Sequence, residues 1–99
     1  MTTYLIANYT ITDPAGYAPY PAAVAPTLAP HGGELLVADF ASETLEGEPH
    51  AVTVVVKFPT RAAARAWYTS PEYRAVMGLR LDHTEGTAVF ADGWAPPPG

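Results

Sequence analysis

Residues 51–58 read Ala-Val-Thr-Val-Val-Val-Lys-Phe, and this stretch decides the fold. Valine dominates it, and β-branched side chains pack well on the pleated surface of a sheet. Side chains of a strand alternate between its two faces, which places four apolar residues on one side. They are Val52, Val54, Val56 and Phe58. The stretch therefore predicts a strand with one strongly apolar face.

Three further strands and two helical stretches are predicted around this strand. Apolar alternation and turn signals place the strands at 3–12, 34–40 and 86–92, and the helices at 17–31 and 60–81. Pro26 lies inside the first helix, where it removes a hydrogen bond, and Gly32-Gly33 ends that helix. Ser70 followed by Pro71 is typical of a new helix start, so we expect the second helix to break near Ser70.

The resulting order, β-α-β-β-α-β, predicts a ferredoxin-like α+β fold. Right-handed crossovers give a four-stranded antiparallel sheet with both helices on one face. Tyr4, Ile6 and Val55 then lie on the uncovered face, together with Thr53. A partly apolar face has to be buried, and pairing of two sheets across a two-fold axis does so. We therefore expect a homodimer, with one domain at 1–94 and a Pro-rich tail at 95–99.

Composition restricts the classes of partner. The 99 residues carry five basic and ten acidic side chains, a formal charge of -5, and no cysteine. This excludes a disulfide scaffold and thiolate metal sites, and it disfavours nucleic-acid binding. The first residues lack the pattern of a signal peptide, and five prolines within the uncharged segment 14–33 disfavour a membrane span. We expect a cytoplasmic protein with no nucleic-acid or membrane partner.

Short motifs spread over nearly the whole chain resemble one known family. They are DPAGY at 13–17, APTL at 25–28, HGG at 31–33, LEG at 45–47, KFP at 57–59, ARAWY at 64–68, SPEY at 70–73, LR at 79–80 and DG at 92–93. As a set they resemble the "domain of unknown function 1330" family of the dimeric α/β-barrel superfamily. The resemblance implies the ferredoxin-like fold and a dimer whose two sheets form a barrel.

The resemblance implies no particular activity, because the superfamily supports many reactions on one fold. Relatives include cofactor-free monooxygenases, polyketide cyclases, lactone isomerases and haem-degrading enzymes. The chain also departs from the family pattern at 37–42, which reads Val-Ala-Asp-Phe-Ala-Ser where an arginine followed by glycines is usual. Pro21 likewise stands where a basic residue is common. We therefore expect a ligand different from one bound through those cations.

Two residues are predicted to carry acid–base chemistry. His83 can exchange protons near neutral pH, and a carboxylate partner such as Asp39 or Glu85 would orient it. Asp39 is predicted to share a strand face with Leu35 and Val37, and a carboxyl group beside an apolar face can have a raised pKa. The alternatives are a loop histidine and a solvated acid at the end of a strand.

Aromatic and polar residues on the helices are predicted to bind a ligand. Tyr73 and Arg80 share a helical stripe, with Trp67 on the same arm. A buried arginine needs an anionic partner, which is a ligand carboxylate or enolate, a nearby acid, or the partner subunit. Three more residues are candidates for binding a ligand carbonyl between helices and sheet. They are Tyr17, Tyr20 and Asn8. The alternative is that the tyrosines only pack the helix onto the sheet.

These features predict a small homodimeric enzyme that acts on an apolar, oxygenated small molecule. Its chemistry would be cofactor-independent proton transfer of the isomerase or cyclase type. No metal site is expected, because the three histidines lie in separate elements without ligand spacing. A cofactor-free monooxygenase and a non-catalytic ligand-binding or interaction dimer remain as alternatives, so the sequence leaves open whether the protein is an enzyme.

Overall fold

A four-stranded antiparallel sheet forms one layer of the molecule. The computed structural model describes residues 1–98, and Gly99, the last residue of the predicted tail, lies outside them. The strands are β1 (Thr3–Ile11), β2 (Glu34–Asp39), β3 (Val52–Phe58) and β4 (Thr84–Asp92). Their order in the sheet is β2-β3-β1-β4, and every neighbouring pair is antiparallel. This is the predicted ferredoxin-like α+β arrangement, with β2 and β4 as open edges.

Five short helices form the second layer. They are α1 (Pro14–Tyr17), α2 (Tyr20–Leu28, followed by a 3₁₀ turn at Ala29–His31), α3 (Arg61–Tyr68), α4 (Pro71–Arg74) and α5 (Gly78–Leu81). Side chains of Asp13, Thr60 and Ser70 cap α1, α3 and α4 by accepting hydrogen bonds from backbone N–H groups. Within residues 1–98, no helix has both the length and the apolar character needed to cross a membrane.

The helices are more divided than the sequence predicts. The first helical stretch begins at Pro14 rather than Tyr17, because the Asp13 carboxylate accepts a hydrogen bond from the N–H of Gly16. The break near Ser70 is confirmed, and Pro26 lies inside α2 as expected. A second break precedes α5, where Val76, Leu79 and Arg80 donate their N–H groups three residues back rather than four.

A bulge in β2 changes the face on which its residues lie. Leu35 pairs with Val56, but Val37 pairs with Val55, so the register shifts by one residue between them. Such an insertion moves every following side chain to the other face. Leu35 therefore faces the helices, whereas Val37 and Asp39 face away from them. This corrects the expectation that the three share one face.

The sheet has one covered and one bare face. Phe58, Trp67 and Tyr73 are almost completely buried between the helices and the sheet. On the other face, the strand register aligns four apolar residues in one row across all four strands. They are Val37, Val55, Ile6 and Val89, and we call them the open-face row. Ile6, Val37 and Val89 are 39, 40 and 53% exposed, so the described chain leaves most of the row uncovered.

Candidate functional site

A cavity of about 330 Å³ lies between the helices and the covered face of the sheet. A cavity of this size lies within the range that holds small ligands. Residues of β1 and β3 form its floor, and aromatic side chains from four helices form much of its wall. The aromatic lining consists of Tyr9, Tyr17, Tyr20, Phe40, Trp67, Tyr68 and Tyr73.

Trp67 and Tyr73 form the rigid side of this cavity. Their rings stack with centroids 4.0 Å apart, and the Trp67 Nε1–H donates to Thr27 Oγ1 at 2.9 Å. The cap at Ser70 turns the chain between α3 and α4, which brings the two rings together. An aromatic pair with its polar atom satisfied holds one orientation, so this wall is well ordered for binding.

Arg80 is the cation of the site. Only 9% of Arg80 is exposed. Its Nε and Nη2 donate to the Tyr73 hydroxyl oxygen at 3.4 and 3.2 Å. No Asp or Glu side chain among residues 1–98 forms an ion pair with it. Burial lowers the pKa of Arg80, but the Tyr73 and Tyr20 phenols more than offset this and raise it overall. Arg80 therefore stays charged with phenol hydroxyls as its side-chain partners, which leaves the guanidinium able to bind an anion.

A chain of hydroxyl groups continues from Arg80 into the cavity. The Tyr73 and Tyr20 hydroxyls lie 2.9 Å apart. Because Tyr73 accepts from Arg80, its own proton is free to point to Tyr20, whose hydroxyl then donates to a ligand. Burial raises the pKa of Tyr20 above its usual value. Tyr20 is therefore a hydrogen-bond donor at neutral pH and not a base.

A second hydroxyl pair stands on the floor of the cavity. The Tyr9 and Tyr17 hydroxyls lie 2.6 Å apart, and burial raises the pKa of Tyr9 as well. Neither Tyr9 nor Tyr68 is among the site residues named from the sequence. The signal for Tyr9 was present, because strand alternation places it on the same face as Leu5 and Ala7.

His83 lies outside the lining of the cavity. Its Nδ1 is 2.8 Å from the Leu79 carbonyl oxygen, and its Nε2 is 3.8 Å from a carboxylate oxygen of Asp13. A carbonyl only accepts, so the proton of the neutral ring is on Nδ1. The ring packs against Gly16, where any side chain would collide with it. His83 thus joins α1 to α5, and its carboxylate neighbour is Asp13 rather than Asp39 or Glu85.

Asp39 is far from His83. It ends β2, whereas His83 immediately precedes β4, and these strands are the two opposite edges of the sheet. Three strand spacings of about 4.8 Å each separate them. Asp39 is exposed and accepts a hydrogen bond from the N–H of Ala41 at 2.7 Å. The expected pairing of these two residues is therefore not formed within one chain.

Asn8 lies on the bare face of the sheet. Its Nδ2 is 3.1 Å from each of three oxygens, the carbonyls of His50 and Val52 and the hydroxyl of Thr53. It therefore fastens the loop before β3 to the sheet. This corrects the expectation that Asn8 joins Tyr17 and Tyr20 in one site, because alternate strand residues point to opposite faces. The structure does bring together the other five predicted binding residues. They are Tyr17, Tyr20, Trp67, Tyr73 and Arg80.

Comparison with known proteins links nearly the whole chain to one family. A family model described as a domain of unknown function (DUF1330) matches residues 2–94. A search of curated proteins finds no significant match.

Several solved structures share the fold at low sequence identity. Protein RPA0582 of Rhodopseudomonas palustris, described as of unknown function, has a TM-score of 0.79 at 17% identity, covering 96% of this chain and 84% of that one. SnoaB of Streptomyces nogalater, described as a cofactor-independent oxygenase, has a TM-score of 0.65 at 13% identity, covering 99% and 98%. A dimeric ferredoxin-like protein of unknown function from Thermobifida fusca has a TM-score of 0.65 at 19% identity, covering 93% and 91%. At these identities the likeness concerns the fold alone.

Proposed function

Since the chain belongs to the DUF1330 family, whose description names no reaction, we propose its function from the site itself. The protein is a homodimeric enzyme that binds an apolar, oxygenated small molecule in the cavity between helices and sheet. It stabilises that molecule as an enolate without a bound cofactor. The aromatic wall packs against the hydrocarbon part of the ligand, and Arg80 binds the oxygen that becomes negatively charged.

The observation that carries this proposal is the unpaired charge of Arg80 beside an apolar cavity. Its Nε and Nη2 bind the Tyr73 hydroxyl, and Nη1 forms no hydrogen bond within residues 1–98. A fixed cation beside an apolar cavity stabilises a developing oxyanion. Tyr20 adds a neutral hydroxyl donor to the same oxygen.

The proposed proton transfer follows from the groups that line the cavity. When the substrate ionises, its acidic C–H bond breaks and the electron pair moves onto the carbonyl oxygen held by Arg80 and Tyr20. The lining residues include no carboxylate and no histidine, so water at the mouth of the cavity takes the proton. Reprotonation at another carbon completes an isomerisation. Direct acid–base roles for His83 and Asp39 stay predictions, which a partner subunit would have to make possible.

A cofactor-independent oxygenase is the second candidate. The observation in its favour is the fold shared with SnoaB, which is described as such an enzyme. In this version the same bound enolate reacts with dioxygen, which is the oxidant. Consumption of dioxygen during turnover distinguishes this candidate from isomerisation.

The homodimer is supported by the open-face row. Four aligned apolar side chains on an exposed sheet are typical of an interface, and the Thermobifida fusca relative in fold is described as dimeric. Pairing of two such faces buries the row in both subunits and leaves the cavity under the helices accessible.

Hydrogen–deuterium exchange tests the proposed chemistry. A panel of aryl β-diketones is incubated in D₂O with the protein, and loss of the α-proton signal is followed by NMR. We expect the wild type to accelerate exchange and Arg80→Met to reduce the acceleration about tenfold to a hundredfold, as expected for loss of a charged hydrogen bond. Arg65→Met is the matched control, because Arg65 is exposed on α3.

Three outcomes would decide whether the protein catalyses exchange and whether Arg80 takes part. Acceleration that depends on Arg80 but not on Arg65 supports the proposal. Binding of the diketones without faster exchange contradicts catalysis and favours the non-catalytic ligand-binding dimer. Exchange that is equally fast with wild type and Arg80→Met contradicts the role of Arg80.

A further inference from the structure

A second cleft is also lined by Arg80. It has a volume of about 410 Å³ and opens along the free edge of β4, where Thr84, Glu85 and Thr87 contribute to its wall. It shares four lining residues with the aromatic cavity. They are Tyr9, Tyr68, Arg80 and Ala88. Arg80 therefore stands at the boundary between two compartments of different chemistry.

We propose that the natural ligand spans both compartments, and that Ala88 determines whether it can do so. The ligand then carries its anionic oxygen in the interior of the molecule, with a ring system on one side and a neutral polar arm on the other. An enolised β-diketone with an aryl end and a hydroxylated end is this class of compound. This inference rests on the proposed function, because it assumes that Arg80 holds the enolate.

The chemistry of the two compartments sets the two ends of the ligand. A cavity of roughly 150 Å³ holds one benzene ring, so the aromatic cavity of about 330 Å³ has room for two fused rings. The cleft is lined by Thr84, whose hydroxyl donates to the Arg80 carbonyl oxygen and can still accept a hydrogen bond from a hydroxylated arm. A terminal carboxylate at Arg80 would leave the cleft unused.

Ala88 is the side chain that leaves the passage open. It pairs with Ala7 across β4 and β1, so two of the smallest side chains lie side by side on the covered face. The neighbouring positions on this face pair Tyr9 with Gly86 and Leu5 with Phe90. Ala88 remains exposed despite facing the helices. A larger residue there would occupy space that both compartments share.

Two diketones and two matched variants test the inference. The short probe is a naphthyl β-diketone that ends in a methyl group, and the long probe replaces that methyl with a hydroxypropyl arm. Affinities are measured by titration calorimetry for wild type, Ala88→Leu, Ala88→Val and the control Ala62→Leu, which adds the same volume on the exposed face of α3. Circular dichroism verifies that each variant is folded.

We expect the long probe to bind wild type more tightly than the short one. Ala88→Leu should weaken the long probe at least about tenfold, because the added side chain occupies the space that the arm has to cross, and Ala88→Val should weaken it less. The short probe, which has no arm to extend past Ala88, should weaken less than the long probe in both variants. If all variants bind both probes as wild type does, or if both probes weaken equally, the inference is wrong while the proposed function stands. If wild type binds neither probe, the proposed function itself fails.

Discussion

Arg80 and Tyr73 form the pair on which the candidate site depends at the residue scale. The guanidinium has only phenol oxygen to bind, and the phenol oxygen is shared with Tyr20. Structural stability alone does not favour this arrangement, because an apolar pair of similar volume would stabilise the fold as much or more. A buried charge that the fold does not neutralise is a feature of functional sites.

Removal of the Tyr73 hydroxyl should destabilise the protein. In Tyr73→Phe the stacked ring remains but Arg80 loses its acceptor, so we expect the free energy of unfolding to fall by about 1–3 kcal/mol. Urea denaturation measures it. Tyr68→Phe is the matched control, because no hydrogen bond to the Tyr68 hydroxyl is found within residues 1–98, and it should cost less than about 0.5 kcal/mol. Equal losses in the two variants would contradict a specific role for the Tyr73 hydroxyl.

Asp92 should make stability depend on pH in the acid range. A hydrogen bond from Thr3 and the Arg61 guanidinium lower the pKa of Asp92 from its usual 3.8. The carboxylate therefore stabilises the fold above the pKa of the unfolded chain, and this contribution is lost as pH falls through the lower, folded pKa. We expect Asp92→Asn to melt at a lower temperature than wild type at pH 7. The gap should narrow as pH falls below 3.8 and through the lowered pKa of Asp92, and a gap independent of pH would contradict this account.

At the scale of elements, the strands β1 and β4 approach each other closely at one glycine. Gly86 has a φ of 156°, and a Cβ there would collide with the Asn8 carbonyl oxygen and with Tyr9. This contact is between backbones, which cannot move apart without breaking the ladder. Gly78 in α5 is different, because a Cβ there would meet only an Asp82 oxygen at 3.4 Å, an ordinary contact.

Alanine at these two glycines should therefore have opposite effects. Gly86→Ala should destabilise the protein by more than about 2 kcal/mol, because strain and a backbone clash act together. Gly78→Ala should stabilise it by up to about 1 kcal/mol through reduced freedom of the unfolded chain. Thermal and chemical denaturation compare both with wild type. A harmless Gly86→Ala would show that β4 can shift away from β1.

At the scale of the whole molecule, the bare sheet face is the surface through which the proposed homodimer would form. Ile6 and Val55 stand at the centre of the open-face row, and Ile6 is 39% exposed. Two edge strands and one uncovered face make the isolated chain prone to association. A two-fold pair of sheets is the arrangement that satisfies the same row in both copies.

A charge in the middle of the row should produce monomers. Ile6→Glu would bring two carboxylates into the interface, and its desolvation and repulsion should weaken association by at least about a hundredfold. Native mass spectrometry and size-exclusion chromatography measure the assembly. Leu45→Glu is the control, because Leu45 is 85% exposed in a loop, and it should leave the dimer intact. A wild-type monomer, or an Ile6→Glu dimer of unchanged affinity, would refute the sheet-paired assembly.

Features that depend on short stretches of chain were determined by the sequence alone. Alternation in 3–11 and 52–58 predicted which residues face the helices, since a strand has a fixed period of two. Thr60 and Ser70 were recognisable as caps, because a cap needs only the next three residues. The family motifs identified the fold over 2–94. The stripe that joins Tyr73 to Arg80 followed from helical spacing, although α4 and α5 are separate helices.

Features that depend on distant partners were decided only by the tertiary structure. The bulge in β2 exists because of its pairing with β3, and it moved Asp39 to the bare face. Tyr20 and Tyr73 are 53 residues apart, so their contact has no local signature. Asn8 is oriented by hydrogen bonds to the loop before β3, and His83 by its contact with the Leu79 carbonyl of α5. The lack of a carboxylate beside Arg80 is likewise a property of packing, since local sequence cannot exclude a partner brought from elsewhere in the fold.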